Sequence, residues 1–287
     1  MQKTIECEFC HNHFSSASER CPHCARPGLF PNVRAADDDD ERNALNRRYQ
    51  EAISDAASRK TDQAAKDFEA AVTRSQAVIA RSLNELQRLA TSDNELYATY
   101  HQLVDAGLRL PSGDQWNTLR VLTDETLFSG YKQHIRFAAL SLDRIGLHNY
   151  GECSLVLRDD MIAHRASAFE ENSVVWMAKH QIKISEATDL PKGYRAVWSE
   201  RVKLAVAKLS EKIQSTTRAD SYSGLLLEQG ATSEDDQFIE VHIWGQMTAR
   251  TFEHVIVEQP QQQMSSVTLN ALREKLGAVG VKMEIKS

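Results

Sequence analysis

The sequence predicts an α+β protein preceded by a small metal-binding module. Three observations carry that expectation. Four of the five cysteines fall within the first 24 residues, as Cys7-Glu8-Phe9-Cys10 and Cys21-Pro22-His23-Cys24. A stretch rich in alanine and free of glycine and proline then runs from about residue 38 to 91, with apolar residues three and four apart. Beyond it come several strand-like runs with few helices between them, which favours α+β over an alternating βαβ arrangement. The expected division is residues 1–36, 37–92 and 93–287.

Composition bounds the rest. With 287 residues, 41% hydrophobic and 26% charged, the chain can bury a sizeable core and is not globally disordered. Its net charge of -6 argues against a protein that coats DNA, while a local basic patch stays open. The start, Met1 to Glu6, has no apolar run, and no stretch approaches the ~18 apolar residues of a membrane helix. The chain reads as cytosolic, and in a reducing compartment a cysteine cluster points to metal rather than disulfides.

In residues 1–36, each Cys-x-x-Cys forms a tight turn offering two thiolates to one tetrahedral zinc. The pattern resembles a zinc ribbon. His11, His13 and His23 could substitute, but Cys7, Cys10, Cys21 and Cys24 already close the shell. A closed four-sulfur site has no open position for substrate, so the zinc is expected to be structural and required for the module to fold. Pro27-Gly28 through Pro31 reads as a linker. Asp37 to Glu41 suits the positive end of a helix dipole. The helix it opens has apolar steps at Leu45, Tyr49 and Ile53, then Phe68, Val72, Ile79, Leu83 and Leu86. Ser58 to Asp62 is a weak middle. A helical hairpin or coiled coil, serving as spacer or partner-binding arm, is expected.

From residue 93, Asn94 to Asp105 and Trp116 to Arg144 look helical, separated by Pro111-Ser112-Gly113. Tyr150 to Leu157 reads as a strand, Ala196 to Ile213 as an amphipathic helix. Leu225 to Leu227, Phe238 to Trp244 and Phe252 to Val257 read as further strands. A helix from Ser266 to Leu276 and a strand at Val281 to Ile285 close the chain. The strand Phe238 to Gly245 is the centre of interest. Residues two apart on a strand share a face, so Glu240 and His242 stand side by side on an apolar strand, where burial is costly without partners. Solvent exposure of that face is the plain alternative. A second polar cluster, His164 to Ser173, lies upstream.

Two segments together resemble a known group. Tyr150-Gly151-Glu152-Cys153-Ser154-Leu155-Val156-Leu157-Arg158, leading to Arg165-Ala166-Ser167 and Asn172-Ser173, is similar to a motif of bacterial polymorphic toxins. The Glu240-to-Gly245 strand resembles the Glu-x-Gln-x-His-Gly strand of a related family. Both look like ADP-ribosyltransferases, and the resemblance spans roughly residues 130–260. It implies a split β-sandwich holding NAD. Arg165, or instead Arg158, would bind the dinucleotide, and Ser167 or Ser173 would shape the nicotinamide pocket. Glu240 would be catalytic, with His242 orienting it or assisting proton removal. Asn172 stands where relatives often have Asp, and Tyr150 opens the motif. Arginine-specific members carry Glu or Gln two positions before the catalytic Glu. Here that position is Phe238, so arginine is not the expected target.

The chemistry is coherent beside the resemblance. A carboxylate stabilises the oxocarbenium-like centre formed when nicotinamide leaves, and a guanidinium fork matches a pyrophosphate. The alternative for Arg165 is a surface pair with Glu170 or Glu171. Cys153, on a strand without a paired base, reads as an inert thiol. The expected function is a bacterial mono-ADP-ribosyltransferase, a toxin or defence effector with an antitoxin or chaperone partner. The rival is a non-catalytic interaction protein docking through ribbon and coiled coil. For the acceptor, residues 179–218 hold nine basic and four acidic residues, a local +5 that favours RNA, with Tyr194 or Trp198 stacking on a base.

Overall fold

Residues 4–7, 9–26, 28–99, 102, 115–182, 190–258 and 265–286 are described by a computed structural model. In chain order, β1 (Thr4–Glu6) and β2 (His13–Ser15) pair as a hairpin within the cysteine module. Then come α1 (Pro31–Ala36), α2 (Asp39–Ser58), α3 (Asp62–Val72), β3 (Gln76–Arg81), α4 (Leu83–Leu89) and α5 (Gln115–Leu127). Next are β4 (Ile135–Ser141), β5 (Cys153–Leu157), α6 (Asp159–Ile162), β6 (Ala166–Phe169), α7 (Ser173–Lys179), β7 (Arg195–Val197) and α8 (Arg201–Leu209). The chain ends with α9 (Tyr222–Leu226), β8 (Leu227–Glu228), β9 (Gln237–Phe238), β10 (Glu240–Trp244), β11 (Phe252–Glu258), α10 (Ser266–Ala278) and β12 (Lys282–Lys286).

Eight strands form one sheet in the order β12-β11-β5-β3-β4-β10-β6-β7. All its pairs are antiparallel except β11 with β12. The mixed α+β class expected from the sequence is present. The expected long helix is broken in two at its weak middle, Ser58 to Asp62, and its second part ends at Val72 instead of running to about 91. α2 begins as expected, with Asp38 accepting from the Asp40 amide and Asp39, Asp40 and Glu41 in the first turn. It stops at Arg59, and Lys60 takes a left-handed φ of 60°. α3 stops at Val72, where the Thr73 and Ser75 hydroxyls bond the Ala70 and Val72 carbonyls. Gln76–Arg81 is then a central strand, buried along its middle. Its Ala-Val-Ile-Ala run is what a strand covered on both faces looks like. Ile79 had fitted a helical stripe because spacing alone cannot separate the two readings over so short a run.

Residues 37–92 are therefore no separate arm or coiled coil. Leu45, Phe68 and Val72 share one core with Val241, Ile243, Leu155 and Leu204. The buried Glu41 carboxylate accepts from the Tyr194 and Arg195 amides, stitching α2 to β7. The expected helix from Trp116 to Arg144 is α5 followed by strand β4. Leu225 and Leu226 end helix α9, and only Leu227 belongs to a strand. Ala196 to Ile213 is helical only from Trp198 onward, in short turns around α8. Asn94 to Thr99 is not helical; residues 100–101 and 103–105 lie outside the described residues.

The sheet forks at its centre. β3 and β4 share only Gln76↔Ser141, Ala77↔Leu140 and Val78↔Ala139. Past Val78, β3 stays with β5, through Ile79↔Leu155 to Arg81↔Cys153. β4 stays with β10, through Ala139↔Glu240 to Ile135↔Trp244. The two wings part where Glu240 stands. Gly151 sits at the tip of the first wing with φ of 140°, and a Cβ there would lie 2.1 Å from the Arg81 carbonyl carbon. Only glycine fits. Gly151→Ala is expected to cost about 2–4 kcal/mol through backbone strain and overpacking, read as a lowered denaturant midpoint.

Candidate functional site

The four cysteines are drawn together first by their own turns. The His11 amide donates to the Cys7 carbonyl at 2.9 Å and the Ala25 amide to the Cys21 carbonyl at 2.8 Å. His11 and Ala25 both adopt φ of 57°, a left-handed geometry that costs about 1–2 kcal/mol per non-glycine residue. The result is two equivalent knuckles. The Sγ atoms of Cys7, Cys10, Cys21 and Cys24 all lie within 4.8 Å of one another, with Cys7–Cys24 at 3.7 Å and Cys10–Cys21 at 3.6 Å. Thiolates bound tetrahedrally at about 2.3 Å from one zinc stand about 3.8 Å apart, so the cluster is compatible with a zinc site. The histidines are not in it; His11 Nδ1 lies 2.7 Å from Glu6 Oε1.

The second site is built on β10. Glu240 and His242 point to the same face, as alternation requires, and both are buried. Register places Phe137 and Ser167 on either side of His242, and Ala139 and Phe169 on either side of Glu240. The partners that make this burial tolerable come from elsewhere. Arg120 on α5 gives Nη1 to Glu240 Oε2 at 3.0 Å and sets Nε 3.2 Å from Asp124 Oδ1. His242 Nε2 lies 2.8 Å from Glu240 Oε1. The Ser173 hydroxyl faces the carboxylate and favours its charge, though it makes no hydrogen bond of ordinary geometry.

Electrostatics follow from this packing. Burial alone would raise the pKa of Glu240, but the Arg120 guanidinium and the His242 hydrogen bond hold it at about 2 against an ordinary 4.5. Burial pushes His242 below its ordinary range despite Glu240. The depressed His242 is a neutral imidazole at neutral pH, and its Nε2–H donates a hydrogen bond to the ionised carboxylate. Its ring is wedged edge-on against Phe128 at 4.8 Å and Phe137 at 5.5 Å. That arrangement suits orienting Glu240; it does not offer a nitrogen to a substrate.

Glu240 and Arg120 line a cavity of about 410 Å³ in the fork. Val78 to Arg81 form one lip and Phe137 to Ala139 the other, with Trp116, Asn117, Asn149 and Tyr150 around the mouth. Tyr150, partly exposed at that mouth, lies close enough to feel the charges of both Arg120 and Glu240. The structure thus brings together Glu240, His242, Ser173 and Tyr150 from the sequence reading. Ser167 and Asn172 flank them: Ser167 opposes His242, and Asn172 caps α7 through the Val174 amide.

Two arginines fall elsewhere. The Arg165 guanidinium donates to the Met161, Trp244 and Gln246 carbonyls. Trp244 is four residues along β10 from Glu240, about 13 Å, so Arg165 secures the strand end and pairs with neither Glu170 nor Glu171. Glu170 instead meets Arg48. Arg158 donates to the Arg250 and Gly280 carbonyls at the far side of the sheet. Much of the basic segment is engaged too, Lys183 lying outside the described residues. Lys179, Lys192 and Lys203 have acidic partners. Lys208 is bonded to the Phe238 carbonyl, and Trp198 is buried with Nε1 on Asp159. Arg48 covers the Tyr194 ring.

The residue that sequence reading missed is Arg120. Its one signal was Asp124 four positions on, which on a helix usually marks a solvated pair. Since folding depresses the pKa of Glu240, the stability it contributes is present above pH 4.5 and is lost as pH falls toward 2. The expected size is about 3 kcal/mol; unfolding measured at pH 5, 4 and 3 should fall more steeply for the native chain than for Glu240→Gln. Comparison with protein-family models and with curated proteins gives no match for this chain.

Proposed function

We propose that the chain is an ADP-ribosyltransferase that uses NAD at Glu240. One observation carries the reading: an ionised carboxylate, both oxygens held, at the root of a forked sheet and open to a cavity. At about 410 Å³ the cavity is in the size range of small-molecule sites. In the reaction the nicotinamide–ribose bond breaks and its electron pair leaves with nicotinamide. Positive charge develops on the ribose carbon, and a nucleophile from the acceptor attacks it and gives up a proton. A carboxylate already oriented by Arg120 and His242 stabilises that charge without reorganising. Tyr150 and Trp116 supply aromatic walls for flat rings. Arg120 and Arg81, at the lips of the fork, replace Arg165 and Arg158 as the groups proposed to meet the dinucleotide phosphates. The forked sheet supports the split β-sandwich reading.

The four cysteines we assign to one structural zinc, since a closed four-sulfur shell leaves no open position. For the acceptor we favour nucleic acid over protein, in keeping with a toxin or defence effector. The support is a groove of about 790 Å³ lined by Lys60, Arg74 and Arg218, which have no ion-pair partner among the described residues.

Metal analysis of the purified chain is expected to give one zinc, lost in Cys21→Ser. With labelled NAD, the native chain should transfer label, and Glu240→Gln should be slower by roughly 10²–10³ while remaining folded. Transfer at the native rate by Glu240→Gln removes the catalytic assignment. Offering RNA, single-stranded DNA and protein side by side identifies the acceptor; label entering protein alone overturns the nucleic-acid choice.

A further inference from the structure

The cysteine module is not suspended from the rest of the chain. Glu19, between its two knuckles, accepts from Trp244 Nε1 at 2.9 Å. Phe30 stacks on the same indole, with centroids 6.0 Å apart. Arg34 donates back to the Ser16, Ser18 and Leu29 carbonyls and lies over the Phe14 ring, so α1 is bound to the module. Between these contacts Asn32 is buried, and its Nδ2 faces three acceptors. They are the Arg165 carbonyl at 3.1 Å, the Ser167 hydroxyl at 3.3 Å and the His242 carbonyl at 2.9 Å. The Oδ1 atom has no partner among the described residues, and the amide acts as a donor to β6, β10 and the residue that precedes β6.

Two links separate the module from the carboxylate: Asn32 to the His242 backbone, and the His242 ring to Glu240. We propose that Asn32 is a positioning residue through which the metal-held module fixes the strand carrying His242 and Glu240, so that loss of the metal loosens the site. The positioning role rests on the reading of Glu240 as catalytic; the mechanical link does not. The strand end needs such a hold. β6 pairs β10 only as far as Ile243, and past Trp244 the chain turns at Gly245 with φ of 84°. A shift of about 1 Å in a catalytic group can cost a hundredfold in rate.

The test is amide hydrogen exchange on the full chain, with and without a zinc chelator, and on Glu19→Ala, Glu19→Gln and Asn32→Asp. Glu19→Gln keeps an acceptor for Trp244 and is expected to match the native chain. Glu19→Ala, chelation and Asn32→Asp, which sets an oxygen against three acceptors, should each raise exchange in 240–244 by roughly tenfold. Strand β12, remote from the module, should be unchanged as internal control. In turnover with NAD the same three perturbations should lower kcat about tenfold with little change in KM. Unchanged exchange in 240–244 once the module has lost its metal overturns the proposal. A native chain that shows the exchange coupling but transfers nothing from NAD upholds the link and defeats the functional reading.

Discussion

A carboxylate in the middle of a sheet can stay charged only if other groups compensate for the lost water. Glu240 meets that requirement with a guanidinium on one oxygen and an imidazole on the other. Much of the surrounding architecture serves this pair. α5 must cross the open side of the fork to deliver Arg120, and Asp124 one turn later anchors the guanidinium from behind. Phe128, Phe137 and Phe169 enclose His242 and keep it neutral. A neutral imidazole then donates one hydrogen bond to the carboxylate, which fixes the orientation of both. Removing Arg120 would leave the buried Glu240 charge uncompensated, which is far costlier than losing an exposed pair.

The fork leaves such a group facing a cavity. In a continuous sheet, neighbouring strands would close over the carboxylate's face. Here β3 and β4 separate after three paired positions, and the gap between the wings becomes a cavity with polar walls. Gly151 permits the first wing to pass within contact of Arg81 and Ser82, which any side chain would prevent. The same segment presents Tyr150 to the cavity mouth. The Tyr-Gly pair in the resemblance thus has a mechanical reason in this chain: one residue lines the cavity and the other lets the backbone pass.

The N-terminal module fits this scheme as a brace. Its core is three buried side chains, Cys7, Phe14 and Cys21, too few to hold a fold without a cross-link. Once held, it presents Glu19 and Phe30 to Trp244, at the opposite end of β10 from Glu240. Arg165 serves that end as well by collecting three carbonyls. The resemblance assigned Arg165 to the dinucleotide; its guanidinium instead satisfies backbone oxygens that the end of a strand leaves over.

Local patterns in the sequence were enough for some of this. Two Cys-x-x-Cys turns specify a metal knuckle wherever they occur, because the spacing sets the sulfur geometry. Alternation on Phe238 to Trp244 placed Glu240 and His242 on one face, and the acidic run Asp37 to Glu41 opened a real helix. Other features are properties of the assembled chain. Gln76–Arg81 becomes a strand because both its faces are covered, and its local composition suits a helix equally well. Arg120 faces inward because α5 lies over the fork, 120 positions from the carboxylate it meets. Asn32 joins β6 and β10 across 135 and 210 positions of sequence. Pairings over such distances leave no periodicity to read, so the identity of the candidate carboxylate lay in the sequence, while the partners that hold it charged were decided by the tertiary fold.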